Sequence, residues 1–130
     1  MMRHHSIYSV AFGRNTIADG DGAVSMGVSN SVMSDWGVIA GGQLNVTDTI
    51  SSYATISGGN SNSIESSNLA SISGGEGNEI IANSHNSSIG GGSFSKISNS
   101  QYSFIGSGGG PSGAPDGNSL DGSSNGVIAG

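Results

Sequence analysis

One short phrase recurs three times between Ala54 and Ile97, and it limits the possible folds more than any other feature of the chain. The copies run Ala54-Thr-Ile-Ser-Gly-Gly-Asn-Ser-Asn62-Ser-Ile64, Ala70-Ser-Ile-Ser-Gly-Gly-Glu-Gly-Asn78-Glu-Ile80 and Ser87-Ser-Ile-Gly-Gly-Gly-Ser-Phe-Ser95-Lys-Ile97. Each has an aliphatic residue, a glycine three positions later, a polar residue three beyond that, and a second aliphatic two further on. Carried along the whole chain, the first aliphatic marks Val10, Val24, Ile39, Ile56, Ile72, Ile89, Ile105 and Ile128, at steps of 14, 15, 17, 16, 17, 16 and 23 residues. The glycine follows at Gly13, Gly27, Gly42, Gly59, Gly75 and Gly92. A repeat whose length drifts while its phase survives is the mark of a solenoid, which absorbs variation in its corners. Helical repeats are excluded, because Gly and Asn are poor helix formers and a helix pair needs roughly twice this length.

Within one unit, Ala54, Ile56 and Gly58 alternate with Thr55 and Ser57, the period of two of a strand with one buried face. Gly58-Gly59 then permits a corner, and Ile64 opens a second inward-facing strand. The pattern predicts an all-β parallel solenoid of about seven coils over residues 8–105, preceded by a lead-in over 1–7. Its expected core is Val10, Val24, Ile39, Ile56, Ile64, Ile72, Ile80, Ile89, Ile97 and Ile105. Asn30, Asn45, Asn62 and Asn78 fall at one phase, where they act either as a stacked amide ladder or as plain turn residues. Residues 106–125 break the rhythm with Pro111, Pro115 and many glycines, and read as a surface loop. Gly126–Gly130 then repeats Gly37–Gly41 letter for letter, as the start of a further coil.

Composition narrows the partners. The chain has 24 Gly and, by count, 28 Ser and 12 Asn among 130 residues, which without periodicity would describe a flexible linker. A net charge of −6 argues against nucleic acid, whose binding depends on Lys and Arg neutralising phosphates. No apolar run approaches the ~18 residues of a membrane helix, so no membrane insertion is expected. With no Cys, disulfides and thiolate metal sites are absent. The first residues lack the long apolar core of a secretory signal.

Few residues invite chemistry. His4-His5 has no third ligand in phase, so no metal site is expected. His85 falls in a corner, and in a chain this rich in Ser its proximity to serines carries no hydrolase signal; no catalytic residue and no cofactor are expected. Gly74-Gly-Glu-Gly77-Asn78-Glu79-Ile80 approaches a calcium-binding nonapeptide, but its equivalents in neighbouring units lack a carboxylate. Asn45-Val-Thr47 and Asn86-Ser-Ser88 match the glycosylation pattern at a frequency that chance supplies. More distinctive is the column three residues ahead of the first aliphatic, which holds Trp36, Tyr53, Leu69 and Tyr102. It reads as a stacked edge packing a corner or a subunit interface, or as an aromatic strip that binds sugar.

Ser9-Val10-Ala11-Phe12-Gly13 and Ala23-Val24-Ser25-Met26-Gly27, fourteen residues apart, resemble the head repeats of trimeric autotransporter adhesins. The longer units resemble repeats of phage and viral fibres. The resemblance implies a left-handed parallel β-roll assembled as a homotrimer. It further implies a non-enzymatic structural or adhesive fibre or head segment on a cell or virion surface, with a host-surface glycan or protein as a further partner. A phage or virus receptor-binding fibre is the nearest alternative, and an ice-binding solenoid a third. The family's neck, stalk and anchor are not in this sequence, and the matching motif is structural, so no binding residue carries over.

Overall fold

A computed structural model describes the backbone of Arg3–His4 and residues 6–109 and 117–130. The chain winds into an all-β parallel solenoid of about six turns, one fewer than the seven coils expected. Two eight-stranded parallel sheets form its walls. Sheet I contains Val10–Arg14, Val24–Val28, Val38–Ile39, Thr55–Ile56, Ser71–Ile72, Ser88–Ile89, Phe104–Ile105 and Val127–Ile128. Sheet II contains Arg3–His4, Ile17–Ala18, Ser31–Val32, Val46–Thr47, Ser63–Ile64, Glu79–Ile81, Lys96–Ser98 and Ser119–Asp121. A thin third ladder of single bridges links Val28, Gln43, Asn60, Glu76 and Ser93 at the glycine corner.

Between the sheets lies a column of isoleucines. In sheet I the register stacks Ile39, Ile56, Ile72, Ile89 and Ile105, and in sheet II Ile64, Ile80 and Ile97; all are 0% exposed. Burying a side chain of this size contributes about 1.5–3 kcal/mol. A strand of two residues thus suffices, because one inward side chain per strand continues the core from coil to coil.

The glycines explain how coils approach at the corner. A Cβ added to Gly59 would lie 2.2 Å from the Gly75 carbonyl oxygen, and one added to Gly42 would lie 2.1 Å from that of Gly59. The stack runs from Gly13 to Gly108 through Gly27, Gly42, Gly59, Gly75 and Gly92, and its interior φ values are positive.

Three expectations are corrected. Val10 and Val24 do not belong to the inward column. Val10 is 48% exposed, and the register places Ala11 and Ser25 in line with Ile39, with Ser25 fully buried. The cause is a one-residue difference between coils. In the first two, a five-residue strand runs straight into the corner, so glycine follows the inward residue by two positions. From Ile39 onward an extra residue (Gly41, Gly58, Gly74 or Gly91) makes that offset three. Counting back three from Gly13 or Gly27 therefore lands on the outer face.

The segment 106–125 is also not one loop. Gly108 continues the glycine stack, and Ser119–Asp121 pairs in register with Lys96–Ser98. Asn118 Nδ2 donates to the Ser107 carbonyl at 2.7 Å. Its spacing hides this strand because Leu120 replaces the usual isoleucine after an irregular insertion. Pro111 and Pro115, on which the loop expectation rested, lie outside the described residues. Finally, the lead-in is already structured, since Arg3–His4 pairs with Ile17–Ala18.

Candidate functional site

Most of the polar groups inside the solenoid are committed to holding coils together. Asn30, Asn45, Asn62 and Asn78 are fully buried. The Oδ1 of each accepts the backbone N–H one coil on: Asn45, Asn62, Asn78 and Ser95, at 2.8–3.0 Å. Their Nδ2 groups donate to corner glycine carbonyls, as Asn62 does to Gly58 and Gly75, both at 3.1 Å. One direct amide contact joins Asn62 Nδ2 to Asn45 Oδ1 at 3.2 Å. Each amide thus stitches its own coil to the next, at a corner where the next coil's N–H would otherwise be buried unpaired.

A second ladder went unrecognised in the sequence. The hydroxyls of Ser51, Ser67, Ser84 and Ser100 accept the N–H groups of Ser67, Ser84, Ser100 and Ser123, one coil on, at 3.0–3.2 Å. Their spacing of 16, 17 and 16 repeats that of the isoleucines, which was the available signal; 28 serines conceal it. Ser87 and Ser103 make a shorter version beside sheet I, accepting from Ser103 and Gly126.

The corner between sheet II and sheet I, whose serines face in, also carries a column of large side chains that face out. Trp36, Tyr53, Leu69 and Tyr102 occupy one column and are 51%, 56%, 57% and 61% exposed. All four have φ between 54° and 59°, a left-handed conformation that bulky residues seldom adopt. The same column holds Tyr8, Gly22, Asn86 and Asn125, also at positive φ. Hydrogen bonds fix the register, with Trp36 N–H donating to Asp21, Tyr53 to Asp35 and Leu69 to Ser52 carbonyls at 2.7–3.0 Å. The Trp36 ring packs over Gly22, where a Cβ would sit 2.3 Å from Cε3.

A line of polar side chains runs beside this strip. Asp21 and Asp35 accept the N–H groups of Ile7 and Asp21, Asn68 Oδ1 accepts that of Ser52, and His85 Nδ1 accepts that of Asn68 at 2.9 Å. The last bond makes Nε2 the donor nitrogen of the neutral His85 ring. His85 is thereby a rung of the solenoid. Asn45, of the two glycosylation patterns, is buried, whereas Asn86 is exposed in the strip.

The outer faces of the two sheets differ in charge. Sheet II displays Asp19, Asp48, Glu65, Glu79, Lys96 and Asp121, with a 3.0 Å ion pair between Lys96 and Glu79. Sheet I displays Val10, Val24, Val38, Thr55, Ser71, Ser88, Phe104 and Val127 in one outer column and Phe12, Met26, Ala40, Ser57, Ser73, Gly90, Gly106 and Ala129 in the other. Neither column contains a charged residue; Arg14, at the corner end of the first strand, is exposed and is the charge that sheet I carries among the described residues. A depression of about 270 Å³ opens at the glycine corner beside Phe94, Glu79, Lys96 and Ser119, with the Phe94 ring over Gly77. Among the described residues no group of three or more His, Asp or Glu is placed to hold a metal ion.

Comparison with known proteins finds no family, no curated protein and no solved structure that matches this chain.

Proposed function

We propose that the chain is a non-enzymatic display segment, a rigid fibre or head unit in which three copies associate on a cell or virion surface. One observation carries this reading: the two outer columns of sheet I hold no charged residue, Arg14 at the corner end of its first strand being the charge of that sheet, whereas Asp19, Asp48, Glu65, Glu79, Lys96 and Asp121 lie on or beside the strands of sheet II. Depletion of charged residues is the compositional mark of a buried interface core, and Phe12, Met26 and Phe104 in these columns are of the enriched kind. A coil of 14 to 17 residues has little interior of its own, and packing sheet I against other copies supplies a second buried face.

The internal chemistry agrees with a mechanical role. Buried Asn and Ser side chains are spent on bonds between successive coils, which resist unwinding and protease access along the axis. Three-fold rather than two-fold association rests on the resemblance of Ser9–Gly13 and Ala23–Gly27 to adhesin head repeats. An ice-binding role is less well supported, because hydroxyls line sheet I only near Thr55, Ser71 and Ser88. Light scattering on the purified chain tests the proposal: a mass near three times 12.8 kDa supports it, and a thermostable single chain overturns it.

A further inference from the structure

We infer that the corner strip of Trp36, Tyr53 and Leu69 binds a neutral, extended polysaccharide laid along the solenoid axis. This deepens the display role and rests on it. Gly22, Asn86 and Asn125, which suit a left-handed corner, share the column with Tyr8 and Tyr102, which do not. On three consecutive coils the chain instead places two aromatic rings and a leucine, and leaves all three more than half exposed. Backbone preference does not account for them, and beyond the contact of the Trp36 ring with Gly22 they stay more than half exposed; a left-handed φ alone recurs at Leu44 and Phe94, so the mark of this surface is the run of large exposed side chains on consecutive coils.

The chemistry of the partner follows from what surrounds the strip. Successive coils recur at ~4.8 Å, so a partner that meets Trp36, Tyr53 and Leu69 in turn must itself present apolar patches at about that interval. Pyranose rings in an extended polysaccharide do so, and their C–H faces stack on aromatic rings. Their hydroxyl edges need hydrogen-bonding groups alongside, which Asp35, Ser52, Asn68 and His85 provide in the adjoining column. Asp35 retains a second carboxylate oxygen as acceptor, and Asn68 and His85 each offer a donor nitrogen. Charge decides between sugars. Asp21 and Asp35 flank the strip, and the chain carries nine acids against three Lys and Arg, so sulfated or carboxylated polymers are repelled.

Trp36 is the chain's single tryptophan and sits in the strip, so its fluorescence reports the site directly. The intact chain is titrated with a β-1,4-linked glucose hexamer, a β-1,4-linked N-acetylglucosamine hexamer and heparin, by fluorescence and by calorimetry. The expected result is saturable binding of a neutral hexamer with a Trp36 signal, and none of heparin. Trp36→Asn and Tyr53→Asn, which place a residue suited to the left-handed corner, should weaken calorimetric binding at least tenfold while leaving Tm unchanged or higher and the mass by light scattering unchanged. The inference is overturned if neither hexamer binds, if the variants bind as the wild type does, or if they lower the assembly mass, which would make a second copy the occupant. Binding by a wild-type single chain would retain the strip and reject the three-copy assembly.

Discussion

The side-chain oxygen of Asn45 accepts the backbone N–H of Asn62, seventeen residues on, at 2.9 Å, and Asn62 repeats the gesture toward Asn78 at 3.0 Å. Each amide therefore serves the coil after it as well as its own corner. Asn62→Ala would leave the Asn78 N–H and the Gly58 carbonyl without these partners, while the Gly75 carbonyl would keep the Asn60 N–H. With roughly 1–3 kcal/mol for each buried group left unpaired, and some relaxation, the expected loss is about 3 kcal/mol. Chemical denaturation of the variant measures it, and a loss below ~1 kcal/mol would show that the ladder is ornamental.

The two ends of that ladder expose its chemistry. Thr16 and Ser95 occupy the Asn position in the flanking coils, and among the described residues their hydroxyls are the buried side-chain oxygens without a hydrogen-bond partner. A hydroxyl is too short to reach the glycine carbonyls that an amide spans. Ser95→Asn should therefore stabilise the fold by about 1 kcal/mol, the net worth of one added hydrogen bond, and raise Tm. The corner has room in kind: an Asn Nδ2 already packs near the corner glycine in the coils of Gly27, Gly42, Gly59 and Gly75.

Adjacent glycines at one corner should behave oppositely. Gly59 has φ +90°, and a Cβ there meets the Gly75 carbonyl oxygen at 2.2 Å, whereas a Cβ on Gly58 has nothing within 4 Å. Gly59→Ala combines left-handed strain with a backbone clash and is expected to cost about 3 kcal/mol or more. Gly58→Ala should be within ~0.5 kcal/mol of wild type. Equal melting of the two would mean that coil spacing is not limited by this contact.

The isoleucine columns were legible because large aliphatics are scarce and therefore visible against a Gly, Ser and Asn background. Val10 and Val24 were misplaced because the sequence shows two valid alternations in a five-residue strand, Val-Ala-Phe and Val-Ser-Met, and only the register to Ile39 tells which residue faces in. The buried Ser25, next to Val24, is missing from the expected core for the same reason. The serine ladder of Ser51, Ser67, Ser84 and Ser100 was hidden by abundance, since a column of the commonest residue has no contrast. Leu120 was lost to an insertion that reset the count. The aromatic column was visible, but at the first two coils it points to Ile7 and Asp21 rather than Tyr8 and Gly22, the same one-residue slip.

The uncharged wall of sheet I leads to the last expectation. Ser73 lies on its outer face and is exposed in the single chain, and Glu65 is exposed on sheet II. If copies pack through sheet I, Ser73→Lys buries an ammonium group with no partner and, in a symmetric assembly, brings its copies toward one another. An uncompensated buried charge costs about 3–5 kcal/mol, which at 1.4 kcal/mol per decade lowers association by about two to four orders of magnitude for each copy. The variant should elute at lower mass and melt at a temperature that rises with protein concentration. Glu65→Lys changes the net charge in the same direction on the opposite wall and should leave mass and melting as in the wild type. Should Ser73→Lys keep the wild-type mass while Glu65→Lys dissociates, the interface lies on sheet II and the charge asymmetry has been assigned to the wrong wall.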